Sequence, residues 1–211
     1  KANRVATLVY RWRPFLSDLW AAISDILSPN RQSNAPANMC WTRQIADCLH
    51  WMLCFLDGVQ GSLIRIFLLS SYLHMGTRVE IITDASPWGL GGVLVVESHI
   101  SAYFACALDE HDVARFKHAL GESSGQQTWE ALAMLVALRA WKEHWFDKCF
   151  CLTTKSDSVS ALTLLSKLKA SGSGPNMVAR ELALDLGDSA FKPSQFIHTP
   201  GVANVLSDRL S

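Results

Sequence analysis

Four acids in the second part of the chain could do chemistry together. Asp84 closes the run "EIITD", and the glycine-rich turn "ASPWGLGG" follows it. Glu130 lies in "QTWEALAMLVALRAWKEHW", which is apolar nearly all round in its first half. A carboxylate beside so apolar a helix is costly unless it is paired or metal-bound. Asp157 follows the apolar run "CFCLTT", and Asp208 sits in the closing "NVLSDRLS". If the strands before Asp84 and Asp157 are neighbours in one sheet, the two acids lie side by side at its C-terminal edge. Carboxylates so close repel one another unless a cation neutralises them. Oxygen donors without His or Cys favour Mg²⁺ or Mn²⁺ over zinc. A two-metal carboxylate site suits phosphodiester hydrolysis. Each acid also has a plain structural use: Asp84 in a turn, Glu130 in a helix's first turn, Asp157 as an N-cap, Asp208 as a surface charge. Singly, Asp157 and Asp208 fit those uses; as a set in this strand order, the four fit a metal site better.

The elements that must position these acids begin near Arg78. "RVEIIT", "GGVLVVE" and "ISAYFACAL" read as strands, with "SH" as the hairpin connection between the last two. The segment around Glu130 reads as a deeply buried helix. "CFCLTT" is a fourth strand, "SVSALTLLSKLK" a helix, and Pro175 opens another helix running to about Leu186. "SQFIHT" is a fifth strand, and Asp208 opens a last helix. The order β-β-β-α-β-α-α-β-α predicts an α/β fold, a mixed five-stranded sheet flanked by helices. Residues 1–75 read instead as a small helical region. Phe15, Leu19, Ala22, Ile23 and Ile26 share one helical face; Trp41, Ile45, Cys48, Leu49, Met52, Phe55 and Leu56 share another, which Gly58 can stop.

Bulk properties narrow the class. A 211-residue chain with 49% hydrophobic and 18% charged residues is globular, with a real core. Lys+Arg and Asp+Glu balance at 19 each, so the chain carries no net electrostatic footprint of a nucleic-acid binder. Six cysteines with no CxxC pair are expected to be buried free thiols in a reducing compartment. The longest apolar run, Ala131 to Leu138, is too short for a membrane span, and the N-terminus has no signal-peptide pattern, so a soluble, intracellular protein is expected. The lack of an initiator Met and the stop at "SDRLS" read as cut ends. "DEHD", Asp109 to Asp112, reads as a polar loop rather than a metal cluster. Trp88 and Trp129, each near an acid, suit packing better than base stacking.

"TDASPWGLGGVL", "QTWEALA", "TTKSDSVSAL" and "HTPGVANVLSDRLS" resemble, in order and spacing, the motifs of a type 1 ribonuclease H domain. The form is that attached to reverse transcriptases of retroelements; the resemblance covers about residues 78–211, and the domain it implies is residues 76–211. It implies a ribonuclease H-like fold that hydrolyses the RNA strand of RNA/DNA hybrids with two Mg²⁺ ions (Mn²⁺ as a substitute). It implies Asp84, Glu130, Asp157 and Asp208 as metal ligands and catalytic acids, with water attacking between Asp84, Asp157 and metal. His198, ten residues before Asp208, resembles a mobile-loop histidine that assists product release. Gln126 resembles an amide near the hybrid's minor groove, where a 2′-hydroxyl contact tells RNA from DNA; Ser86 joins it as a substrate contact. Residues 1–75 resemble the thumb or connection that links a polymerase to its nuclease, which makes the polymerase part of the same polyprotein a partner. The chain itself has no Tyr-x-Asp-Asp motif. Three features depart from the pattern: Ser158 and Val159 follow Asp157, no basic handle loop is present beyond the Pro175 loop with Arg180, and the last helix stops three residues after Asp208, leaving that acid frayed. The rival reading is an inactive ribonuclease H-like relic or connection-type scaffold. Integrases and resolvases use similar acidic sites, and a sugar-kinase-type ATPase would need a longer chain for its two lobes.

Overall fold

Alternating apolar residues build the first strand of the computed structural model, which describes residues 13–30, 34–59, 73, 75–144, 150–188 and 195–211. β1 (Thr77–Ala85) turns the buried Val79, Ile81 and Thr83 to one face and Glu80, Ile82 and Asp84 to the other. β2 (Gly89–Val96) pairs antiparallel with β1, and β3 (His99–Ala107) antiparallel with β2. Glu97 and Ser98 make the hairpin turn, with φ of 47° and 69°. Such a turn twists the strands correctly, and it falls one residue before the expected "SH" because His99 already pairs with Val96. β4 (Phe150–Ser156) runs parallel to β1, and β5 (Gln195–His198) parallel to β4. The sheet order is β3-β2-β1-β4-β5, the mixed five-stranded sheet that the sequence predicts.

Helices cover the sheet. α3 (Glu110–Phe116) was not expected, and "DEHD" is its N-terminus. Asp109 accepts from the amides of His111 and Asp112, while Asp112 accepts from the Asp109 amide, a capping box rather than a loop. α4 (Gln126–Ala140) packs against β1 and β2 as well as α5 (Val159–Lys167) and α6 (Ser173–Asp188), which explains why it is apolar all round. Ser158, not Asp157, caps α5 by accepting from the Ala161 amide. α6 starts two residues before Pro175, which its first turn tolerates. α7 (Val205–Asp208) ends, rather than opens, at Asp208.

The helical region contributes α1 (Arg13–Leu27) and α2 (Thr42–Leu56). Phe15 enters the main core and stacks on Trp51 at 5.7 Å, while Leu16 and Phe55 pack with Leu184 of α6. The expected faces hold only in part. Ala22, Cys48 and Phe55 are buried, but Ile23, Trp41, Leu49 and Leu56 are exposed. The cysteine expectation is corrected as to burial: among the described residues Cys48 is buried, Cys106 is exposed, and Cys40, Cys54 and Cys151 are partly buried, none of the five in a disulfide. Cys149 and residues 60–72, next to the expected segment boundary, lie outside the described residues. No described helix is long and apolar enough to cross a membrane.

Candidate metal centre

Parallel pairing of β1 with β4 brings Asp84, near the end of β1, beside Asp157, just past β4. Glu130 arrives from α4, in its second turn rather than its first. One carboxylate oxygen from each of the three lies within 4.8 Å of the others. Asp84 and Glu130 are each only 6% exposed. Glu130 Oε1 accepts from Gln126 Nε2 at 2.9 Å, whereas Glu130 Oε2 and Asp157 Oδ1 are buried without a partner. Burial pushes the Glu130 carboxyl up to about 8, against the Gln126 bond and with help from the charges of Asp157 and Asp84. Burial also raises Asp84, opposed by a bond from Ser211 and assisted by the charges of Asp157 and Asp208. Three converging acids with two unpartnered buried oxygens suit a hard divalent cation, which would supply the missing partner.

The other predicted residues surround this trio. Asp208 stands outside the 4.8 Å group and is exposed, yet its charge reaches Asp84. His198 is exposed at the end of β5 and its Nε2 donates to Asp157 O at 3.0 Å. Gln126 is partly buried, and its amide nitrogen donates to Ala85 O at 2.5 Å as well as to Glu130. Ser86 donates to Ser211 O at 2.8 Å and accepts from the amides of Trp88 and Gly89. Trp129 is fully buried, edge-on to Phe116 and His118, so it packs; Trp88 is exposed, its ring lying against Gly121.

Two residues at the site were not singled out in the sequence. Ser211 Oγ donates to Asp84 Oδ2 at 2.9 Å, and Asn204 Nδ2 reaches Asp84 Oδ1 at 3.4 Å. Both lie in the closing "PGVANVLSDRLS" that carries the resemblance, where Asn204, Ser207 and Ser211 recur at spacings of three and four.

No protein-family model matches the chain, and no curated protein does. Among solved structures, the chain is similar to ribonuclease H1 of the halophilic archaeon Halobacterium salinarum, at 22% identity and a TM-score of 0.47 over 63% of this chain and 93% of that one. It is similar to the N-terminal ribonuclease H domain of a Mycobacterium tuberculosis protein, at 18% identity and a TM-score of 0.46 over 63% and 95%. A foamy viral protease-reverse transcriptase bound to double-stranded DNA matches at 12% identity and a TM-score of 0.34, over 80% of this chain and 28% of that one.

Proposed function

We propose that the chain is a divalent-cation-dependent endonuclease of ribonuclease H type, cutting the RNA strand of RNA/DNA hybrids. Residues 76–211 form the nuclease in this reading, and residues 1–75 a thumb- or connection-like segment of a retroelement polyprotein. One observation supports it most: three carboxylates, from β1, α4 and the bend after β4, converge within 4.8 Å and leave two buried oxygens without a partner. Asp84, Glu130 and Asp157 would hold Mg²⁺ or Mn²⁺, with Asp208 reaching in from α7 as the outer ligand of a two-ion site. When bound, such ions neutralise charge at the attacking and leaving oxygens of a phosphodiester.

The chain's own residues have separable tasks. Gln126 holds Glu130 Oε1, so Oε2 is the oxygen left for a cation. Its two amide hydrogens go to Glu130 and Ala85, which leaves its carbonyl oxygen for a 2′-hydroxyl. Ser86 would contact substrate only by giving up one of its three internal bonds. His198, tethered to the backbone of Asp157, stands at the rim where product would leave. A groove of about 610 Å³ runs from Gln127 past Val159 and Ser160 to Lys167 and Lys169, which offers cations to a phosphate backbone despite the zero net charge.

A cleavage assay with Mg²⁺ tests this. The expected result is cutting of RNA within a hybrid, with single-stranded RNA and duplex DNA left intact, and loss of cutting in Asp84→Asn while the melting transition survives. Normal activity in Asp84→Asn would sink the reading. A chain that cuts nothing and takes up no divalent cation would point to the scaffold alternative.

A further inference from the structure

A single short segment grips Asp84 at both carboxylate oxygens. Ser211 holds Oδ2 and Asn204 holds Oδ1; the same Asn204 amide also reaches Thr83 O at 3.4 Å. Asn204 is 3% exposed, and the fully buried Ser207 fixes its orientation by donating to its Oδ1. That bond sets which end of the amide carries hydrogens toward Asp84. Ser211 is pinned in turn. Its amide donates to Ser207 O at 3.1 Å, and its backbone oxygen accepts from Ser86 Oγ.

Strand β2 is shaped to admit this segment. Gly91 pairs with Asp84 across the β1–β2 ladder. A Cβ there would lie 2.6 Å from Ser207 O and 2.8 Å from both Leu210 Cβ and Ser211 N. A Cβ on Gly89 would lie 2.6 Å from Ser211 O. Any side chain at either position would push the segment off Asp84.

We propose that Asn204–Ser211 is a positioning clamp for Asp84, with Ser211 its principal positioning residue and Ser86 acting through Ser211. The inference rests on the metal-dependent reading above. A carboxylate oxygen has two lone pairs. A donor on one fixes the orientation of the group and leaves the other for a cation, as partners of metal-binding carboxylates do. Without the Ser211 donor, Asp84 keeps only the longer Asn204 bond at 3.4 Å against two neighbouring acids that repel it.

Calorimetric titration of Mn²⁺ into the 211-residue chain, without nucleic acid, tests the clamp. The variants are Ser211→Ala, Ser211→Thr, Ser86→Ala and the Ser86→Ala/Ser211→Ala double, each also melted in EDTA. Ser211→Ala is expected to weaken Mn²⁺ affinity by about tenfold, the scale typical of a lost ligand-orienting bond, with little change in the EDTA melt. Ser211→Thr restores binding, Ser86→Ala weakens it less, and the double variant is no weaker than Ser211→Ala. Wild-type affinity in Ser211→Ala overturns the clamp, and so does a double variant whose loss is the product of the two single losses. If Ser211→Ala fails to fold, Ser86→Ala decides alone: weakened binding supports the clamp and unchanged binding overturns it. A wild-type chain that takes up no Mn²⁺ defeats the metal-dependent reading itself.

Discussion

At the scale of the residue, Glu130 bears the cost of the site. Its carboxyl is 6% exposed, and only one of its two oxygens has a partner. Burial raises it from an ordinary 4.5 to about 8. Between those values the folded chain keeps a proton that the unfolded chain has released, so stability falls as pH rises through the window. Asp84, raised by burial as well, adds to the same trend. Melting temperatures in EDTA are therefore expected to fall from roughly pH 5 to pH 8, and Glu130→Gln should remove most of that fall. Mg²⁺ should reverse it, because a cation binds the carboxylate and releases the proton. A flat EDTA profile in the wild-type chain, or an unchanged slope in Glu130→Gln, would show that Glu130 ionises without penalty.

At the scale of the element, the glycines after Asp84 do part of what the sequence suggests. Their spacing reads as room for β2 to pair back tightly and leave the rim open, and β2 does pair back, with Gly91 opposite Asp84 and Gly92 opposite Thr83. The rim beside them is not open: the room at Gly89 and Gly91 is filled by the Ser207–Ser211 segment, while Gly92 lies under the ring of Phe104. Gly91→Ala should destabilise the fold by about 1–3 kcal/mol, the usual range for overpacking, and should weaken Mn²⁺ binding together with it. Urea denaturation and the same titration measure both, and an Ala accepted at no cost would mean the segment packs elsewhere in solution. What the sequence made legible follows from period and context. β1 and α4 could be read because one alternates and the other is apolar all round. Asp84 and Glu130 could be read because each interrupts such an element, and Asp157 because it directly follows the apolar run of β4. α3 could not, since its polar start hides a capping box whose partners are all local. The buried faces of α1 and α2 were legible only in part, because Leu16, Cys48 and Phe55 are inside while Ile23, Leu49 and Leu56 stay exposed. Asn204 and Ser211 are neutral donors that no hydrophobic pattern marks, and only the folded chain reveals what they hold.

At the scale of the whole molecule, α1 meets both α5 and α6 of the sheet region. Asp18 of α1 forms an ion pair with Arg180 of α6, and Arg13 Nη1 donates to Lys167 O at 3.3 Å. The two side chains of the ion pair are 30% and 16% exposed, and Arg180 Nε is buried without a hydrogen-bond partner. Removing Asp18 leaves a largely buried guanidinium with still fewer partners. Asp18→Ala is therefore expected to cost about 1–3 kcal/mol in urea denaturation, the penalty for an unsatisfied buried donor. Replacing both partners by apolar residues, Asp18→Leu with Arg180→Met, should recover part of that loss, since no charge is then stranded. Cys48 offers a local readout at the same junction. It is fully buried, and burial followed by the charge of Asp18 raises its thiol. In the wild-type chain Cys48 should react with a thiol reagent far more slowly than the exposed Cys106. If Asp18 holds α1 and α2 against α6, Asp18→Ala should speed the labelling of Cys48 while leaving that of Cys106 unchanged. Equal Cys48 rates in the two proteins would mean that Phe15 and Leu16, rather than the ion pair, keep the helices in place.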